Sequence, residues 1–260
     1  MKILYATDID RTLIFSHRFM KEYKPKDEYI LVEEKDGKEI SYMSKKAYNK
    51  LQEIYNNPDI IFVPVTTRGI DEYNRINLGI KPKIAVVASG GIILENEKII
   101  EEYDNIIKKD IDNIDLMQAN FDISEMESVG REGKFIENKY VFNKTKNIKL
   151  FDVEISPIMQ AHTSLNIIRQ RNKVYAIPKS FTKGTAVRWL QHYTKADKLV
   201  VSGDSELDLT MLAIADYAVV PKHGDLFKCG YVTDGRLIDA GIESPLYTFN
   251  LIEQILKGEV

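Results

Sequence analysis

The residues Ile3-Leu4-Tyr5-Ala6-Thr7-Asp8-Ile9-Asp10-Arg11-Thr12 decide how the rest of the chain is read. Apolar and β-prone side chains run without polar alternation into two acids, the pattern of a strand buried on both faces of a parallel sheet. The apolar run is far shorter than the hydrophobic region of a signal peptide and Asp8 breaks it at once, so it reads as a strand and not as an address. Residues two apart on a strand point the same way. The Asp8 and Asp10 carboxylates are therefore expected to emerge together at the carboxyl edge of the sheet, where open α/β sheets bind their ligands. Two carboxylates in one crevice repel each other; a divalent cation, or a proton on one of them, relieves the repulsion, and hard oxygen ligands suit Mg²⁺.

Outward from this strand, short β-branched runs recur at residues 60–66, 84–88, 199–202 and 217–220. Helical patterns lie between or after them. Ser44 is placed to cap a helix with Ala47, Leu51 and Ile54 on one face, ending before Pro58. A second begins near Thr182 with Ala186, Trp189 and Leu190 inward, a third follows Ser205, and Pro245 opens a last one that runs to about Lys257. This alternation predicts an α/β fold, an open parallel sheet with helices on both faces. Two stretches break the rhythm. Within 14–43, β-prone runs flank Lys35-Asp36-Gly37-Lys38, a hairpin signal that reads as a flap over the sheet edge. Over 91–175 the buried-strand pattern stops: 99–120 looks helical, and a hairpin turns at Arg171-Asn172. The expected division is a core of 1–90 and 176–260 with a smaller α/β domain, 91–175, inserted into it.

Composition narrows the function classes. A chain of 260 residues with 44% hydrophobic and 29% charged residues is neither disordered nor fibrous. A net charge of -3 without long blocks of like charge offers no arm for nucleic acid and no polybasic membrane anchor. No apolar run approaches the roughly 18 to 20 residues that span a bilayer. The single cysteine, Cys229, can form neither an internal disulfide nor a Cys-rich zinc site, which makes the cytoplasm the expected compartment. His17, His162, His192 and His223 lack zinc-pair spacing and read as structural.

Three further segments carry chemistry. Gly203-Asp204-Ser205-Glu206-Leu207-Asp208 follows a buried run and adds acids at a second point of the sheet edge, where Asp204 also suits a helix N-cap. Thr66-Thr67-Arg68 ends a strand and offers a hydroxyl and backbone N–H groups to an anion, or a cap to a helix. Lys183-Gly184 opens a helix, a place where a lone lysine is usually solvated. Taken in order, Asp8/Asp10, Thr66, Lys183 and Asp204/Asp208 resemble the four motifs of the haloacid dehalogenase superfamily of phosphotransferases, and most of all its Cof-type and sugar-phosphate phosphatase branch.

The resemblance implies a Rossmann-like open parallel sheet core with an inserted smaller α/β cap domain of type IIB. It also implies roles. Asp8 is the nucleophile that forms an aspartyl phosphate. Asp10 protonates the leaving oxygen and later deprotonates water. Mg²⁺ is held by the Asp8 carboxylate, the Asp10 carbonyl and Asp204, with Asp208 behind them. Thr66, Thr67, Arg68 and Lys183 bind the phosphoryl oxygens. The expected activity is hydrolysis of a phosphomonoester of a small metabolite, with a sugar phosphate first in line, by a monomer or small homo-oligomer without nucleic acid or membrane partners. A phosphosugar mutase and a non-catalytic phosphate-binding protein remain as alternatives. Three features depart from the branch: Arg11 stands where a small residue is usual and is read as facing solvent, Leu207 stands where Asn is common, and the 14–43 insertion is long enough to wall the pocket.

Overall fold

The computed structural model describes residues 1–230 and 237–260. β1 (Ile3–Asp8) is buried along its whole length. The flap follows as β2 (Phe15–Ser16), α1 (His17–Glu22), β3 (Tyr29–Lys35) and β4 (Lys38–Ser44), a separate antiparallel sheet in the order β2-β4-β3. Its hairpin turns at Asp36-Gly37, both at positive φ. Strand β3 carries a bulge between Leu31 and Glu34, so that Val32 and Glu33, adjacent in sequence, are both buried. The Ser44 hydroxyl then accepts from the Ala47 N–H and starts α2 (Lys45–Asn56).

The core sheet continues through β5 (Ile60–Val65), α3 (Ile70–Tyr73), β6 (Ile84–Val87), β7 (Ile92–Glu95) and β8 (Lys98–Ile99). Here the structure corrects the sequence reading, which opened the insert at residue 91. Ile92 to Glu95 pair antiparallel with β6, and α4 (Glu101–Ile111) returns Tyr103 and Ile107 to the same core. A short apolar run does not announce its pairing partner, and only the partner decides which sheet it joins. The expected helix over 99–120 is broken after α4 and restarts as α5 (Leu116–Glu125), capped by Asp115.

The cap proper is α5, β9 (Lys134–Ile136), β10 (Tyr140–Lys144), α6 (Ile148–Ala161), β11 (Leu165–Gln170) and β12 (Lys173–Pro178). Its four strands form an antiparallel sheet, β11-β12-β10-β9, over a core of its own that includes Ile123, Val141, Phe151 and Val174. Among the contacts that bind it to the core, the Tyr140 hydroxyl donates to the Thr67 carbonyl, Glu137 accepts from the Ile70 N–H at 2.8 Å, and Lys139 donates to Asp104 of α4 at 2.7 Å.

The chain then returns through α7 (Lys183–Thr194), β13 (Lys198–Ser202), α8 (Leu209–Leu212), β14 (Tyr217–Pro221), α9 (Asp225–Lys228), β15 (Leu237–Ile238) and α10 (Ser244–Lys257). The finished sheet runs β15-β14-β13-β1-β5-β6-β7-β8, parallel except at β7 and β8. Side chains of β1 alternate between its faces. Leu4 and Ala6 meet Ala186 and Leu190 of α7 on one side; Ile3 and Tyr5 meet Leu51 of α2 and Phe249 and Ile252 of α10 on the other. With β1 between β13 and β5, the loops after these three strands lie side by side. Among the described residues no helix is long and apolar enough to cross a membrane.

Candidate active site

Asp8 ends β1 and is buried with only 6% exposure. Lys183, the first residue of α7, is likewise buried, and its ammonium donates to Asp8 Oδ1 and Asp208 Oδ1, each at 2.6 Å. The solvated lysine expected of a helix start is thus an internal ion. Burial by itself lowers the pKa of Lys183, but the charges of Asp208 and Asp8 outweigh it and keep the ammonium protonated. Its placement depends on Gly90: a β-carbon there would lie 2.2 Å from the Thr182 carbonyl oxygen, so only glycine lets the loop after β6 pack against the start of α7.

Asp208 is held from the other side. Its Oδ2 accepts from the Asp204 and Ser205 N–H groups and from the Ser205 hydroxyl at 2.9–3.0 Å, so it serves as the fixed floor of the site. Gly203 makes the turn possible, since a β-carbon there would collide with the Asp208 side chain. Burial, then repulsion from Asp208, pushes the Asp204 carboxyl up to about 7. Asp8 is raised well above the usual range, first by burial and then by neighbouring carboxylates, against the pull of Lys183.

Asp10 lies beyond the end of β1, and its carboxylate is bound by Arg68. Arg68 grips it with two bonds of 2.8 Å, donates two more to Glu33 at 2.7 and 3.0 Å, and reaches the Glu72 carbonyl at 3.3 Å. Desolvation raises the Asp10 carboxyl, yet the Arg68 bonds and charge prevail and hold it below its usual range. Glu33 is almost wholly buried and also accepts from Ser41, so the flap supplies a carboxylate that fixes Arg68. Sequence reading missed Glu33, because only the β3 bulge turns it inward.

Arg11 does not face solvent. Its Nε donates to Asp204 Oδ2 at 2.9 Å, an Nη donates to the His223 carbonyl at 2.8 Å, and the guanidinium lies over the Phe19 ring. Its φ of 67° is left-handed, where glycine is at ease and an arginine costs about 1 kcal/mol; the two bonds offset that cost. His223 is structural as expected: buried, it donates from Nε2 to the Arg11 carbonyl and accepts at Nδ1 from the Gly241 N–H.

Asp8, Asp10, Lys183 and Asp204 line one cavity of about 210 Å³, roofed by Gln170 to Lys173 and Tyr175 of the cap hairpin. Residues 1–223 match the sequence profile of the family described as sucrose-6F-phosphate phosphohydrolase. The chain belongs to that family. It is a phosphatase of the haloacid dehalogenase superfamily, and the fold agrees. The sucrose-phosphatase of Synechocystis sp. PCC6803, solved with sucrose and phosphate, superposes with a TM-score of 0.71 at 14% identity, covering 97% of this chain and 99% of that one. A haloalkanoate-superfamily phosphatase of Bacteroides thetaiotaomicron gives 0.61 at 14% identity, covering 100% of this chain and 96% of its own. A haloacid dehalogenase-like hydrolase of Bacillus subtilis gives 0.58 at 14%, covering 98% and 92%. Among curated protein sequences none matches significantly.

Within this sucrose-6F-phosphate phosphohydrolase fold, the residues singled out from the sequence fall into two groups. Asp8, Asp10, Thr67, Lys183 and Asp204 reach the cavity. Thr66, Arg68 and Asp208 stand behind its wall: the Thr66 hydroxyl accepts from the Arg68 N–H at 3.1 Å, and the Arg68 guanidinium is engaged by Asp10 and Glu33 instead of being free for phosphate. Oxygens of Asp8, Asp204 and Asp208 lie within 4.8 Å of one another. Asp8 and Asp204 each keep one carboxylate oxygen without a hydrogen bond among the described residues. Hard oxygen donors, mutual repulsion and free oxygens together fit a small divalent cation.

Proposed function

We propose that the chain is a cytoplasmic, Mg²⁺-dependent phosphomonoesterase that hydrolyses a phosphate ester of a small metabolite, a sugar phosphate, through an aspartyl phosphate on Asp8. The observation that carries this reading is the buried cluster of Asp8, Asp204 and Asp208 around Lys183, opening into a roofed cavity with Asp10 in its wall. The Synechocystis relative, solved with sucrose and phosphate, supports the substrate class. Mg²⁺ bound by Asp8, Asp204 and the Asp10 carbonyl would supply the positive charge that lets a phosphate dianion approach a carboxylate.

The protein's own residues account for the other steps. Lys183 favours the ionised form of Asp8 against burial and the neighbouring carboxylates and fixes its orientation, leaving its second oxygen to attack phosphorus. Asp10 protonates the departing oxygen as the ester bond breaks, then takes a proton from the water that cleaves the acyl phosphate. Arg68 holds Asp10 low, which suits the base half of this duty; an incoming dianion raises the Asp10 pKa again and suits the acid half. The cap hairpin roofs part of the cavity and so limits the access of water to the first step.

Phosphate release from p-nitrophenyl phosphate and a panel of sugar phosphates, with Mg²⁺ or with a chelator, tests the reading. Turnover is expected with Mg²⁺ alone, and Asp8→Asn is expected to abolish it while the thermal melt stays cooperative. Activity that survives in the chelator, or in Asp8→Asn, would defeat the assignment.

A further inference from the structure

The cavity holds cations that the chemistry above does not use. Each carboxylate in its wall already has a cationic partner: Asp8 has Lys183, Asp10 has Arg68, Asp204 has Arg11, and Asp225 has Arg171 at 3.3 Å. Arg18 and Lys173 also line the cavity, are exposed, and form no ion pair or hydrogen bond through their side chains among the described residues. They come from different parts of the fold. Arg18 stands on α1 of the flap, and Lys173 begins β12 of the cap.

Their positions point to the part of the substrate that leaves. Lys183, with a cation at Asp8 and Asp204, suffices for the phosphoryl group on the floor, whereas Lys173 sits near enough to Asp10 to act on its charge. Arg18 marks the junction with a side cavity of about 250 Å³, which shares Arg11, Arg171 and Asp225 with the first and ends at Phe19, Lys228 and a single further carboxylate, Glu22. Unpaired cations on a concave, partly roofed wall concentrate positive potential. A guanidinium there binds a carboxylate or phosphate through paired, charge-assisted hydrogen bonds.

We propose that the substrate's leaving group carries a second anion, a carboxylate or a further phosphate, held by Arg18 and Lys173. The preferred substrates are then sugar-acid phosphates or sugar bisphosphates over neutral sugar monophosphates. This rests on the phosphomonoesterase reading of the same site.

Two matched pairs test it in the full-length enzyme with Mg²⁺: 6-phosphogluconate against glucose 6-phosphate, and fructose 1,6-bisphosphate against fructose 6-phosphate, with p-nitrophenyl phosphate as the reference without a second anion. The anionic member of at least one pair is expected to show kcat/KM higher by about tenfold or more, and the responding pair tells carboxylate from phosphate. Arg18→Gln and Lys173→Gln should each shrink that ratio, and added salt should shrink it in the wild type. Equal ratios within both pairs would overturn the proposal, as would a preference that persists in both variants. Failure to hydrolyse even p-nitrophenyl phosphate would instead defeat the phosphatase reading on which it rests.

Discussion

Glu33→Gln separates the work of the flap from that of the core. The side chain of Glu33 is 1% exposed and that of Arg68 is 12% exposed. Two bonds join them at 2.7 and 3.0 Å, and Ser41 adds a third contact at 2.9 Å. Removing one partner of a buried ion pair costs about 3 to 5 kcal/mol. Glutamine keeps an acceptor oxygen for one Arg68 N–H, so the lower end, about 3 kcal/mol, is expected. At roughly 2 to 4 °C per kcal/mol for a chain of this size, the melting temperature should fall by about 6 to 12 °C. Catalysis should respond as well. Without the Glu33 charge, the full charge of Arg68 acts on Asp10 and lowers its carboxyl further, so less of it is protonated at neutral pH. The loss should therefore fall on esters with poor leaving groups. The assay is a calorimetric melt together with kcat/KM for a sugar phosphate and for p-nitrophenyl phosphate. Arg68→Met and the double variant complete a cycle, which should show an interaction of about 0.5 to 3 kcal/mol. A melting shift below about 2 °C, or an interaction near zero, would refute the claim that the flap acts through Arg68.

Asp10→Asn should cost roughly 10²- to 10⁴-fold in kcat for a sugar phosphate and far less for p-nitrophenyl phosphate, whose leaving group needs no proton; an equal loss on both would require another role for Asp10. His223 supplies a pH dependence. Burial pushes its imidazole down to about 4 from 6.5, and both ring nitrogens are committed to the neutral form. Because the folded value lies below the unfolded one, its stabilising effect is complete above pH 6.5 and is lost as the pH falls from there toward 4. The slope reaches about 1.4 kcal/mol per pH unit. Melts from pH 7 to 4.5 should fall more steeply for the wild type than for His223→Gln, and parallel curves would contradict the assignment.

Much of this protein is written in local pattern. The buried strands, the Ser44 and Thr182 caps, and the hairpins at Asp36-Gly37 and Arg171-Asn172 depend on residues within a few positions of one another, and they are found where periodicity and turn chemistry put them. So are the acids at the strand ends. The ion pairs of the site are of another kind, since Lys183 lies 175 positions from Asp8, and Arg11 lies 193 from Asp204 and 212 from His223. Nothing near Lys183 marks it as buried, nothing near Arg11 turns it inward, and Glu33 looks like any strand acid until the bulge aims it at Arg68. Likewise Ile92 to Glu95 looks like any short apolar run until β6 takes it as a partner. Strand order brings these loops together, and long-range order is a property of the packed sheet. Whether a charged side chain is solvated or paired depends on what that packing places opposite it, because a buried charge survives only with a partner.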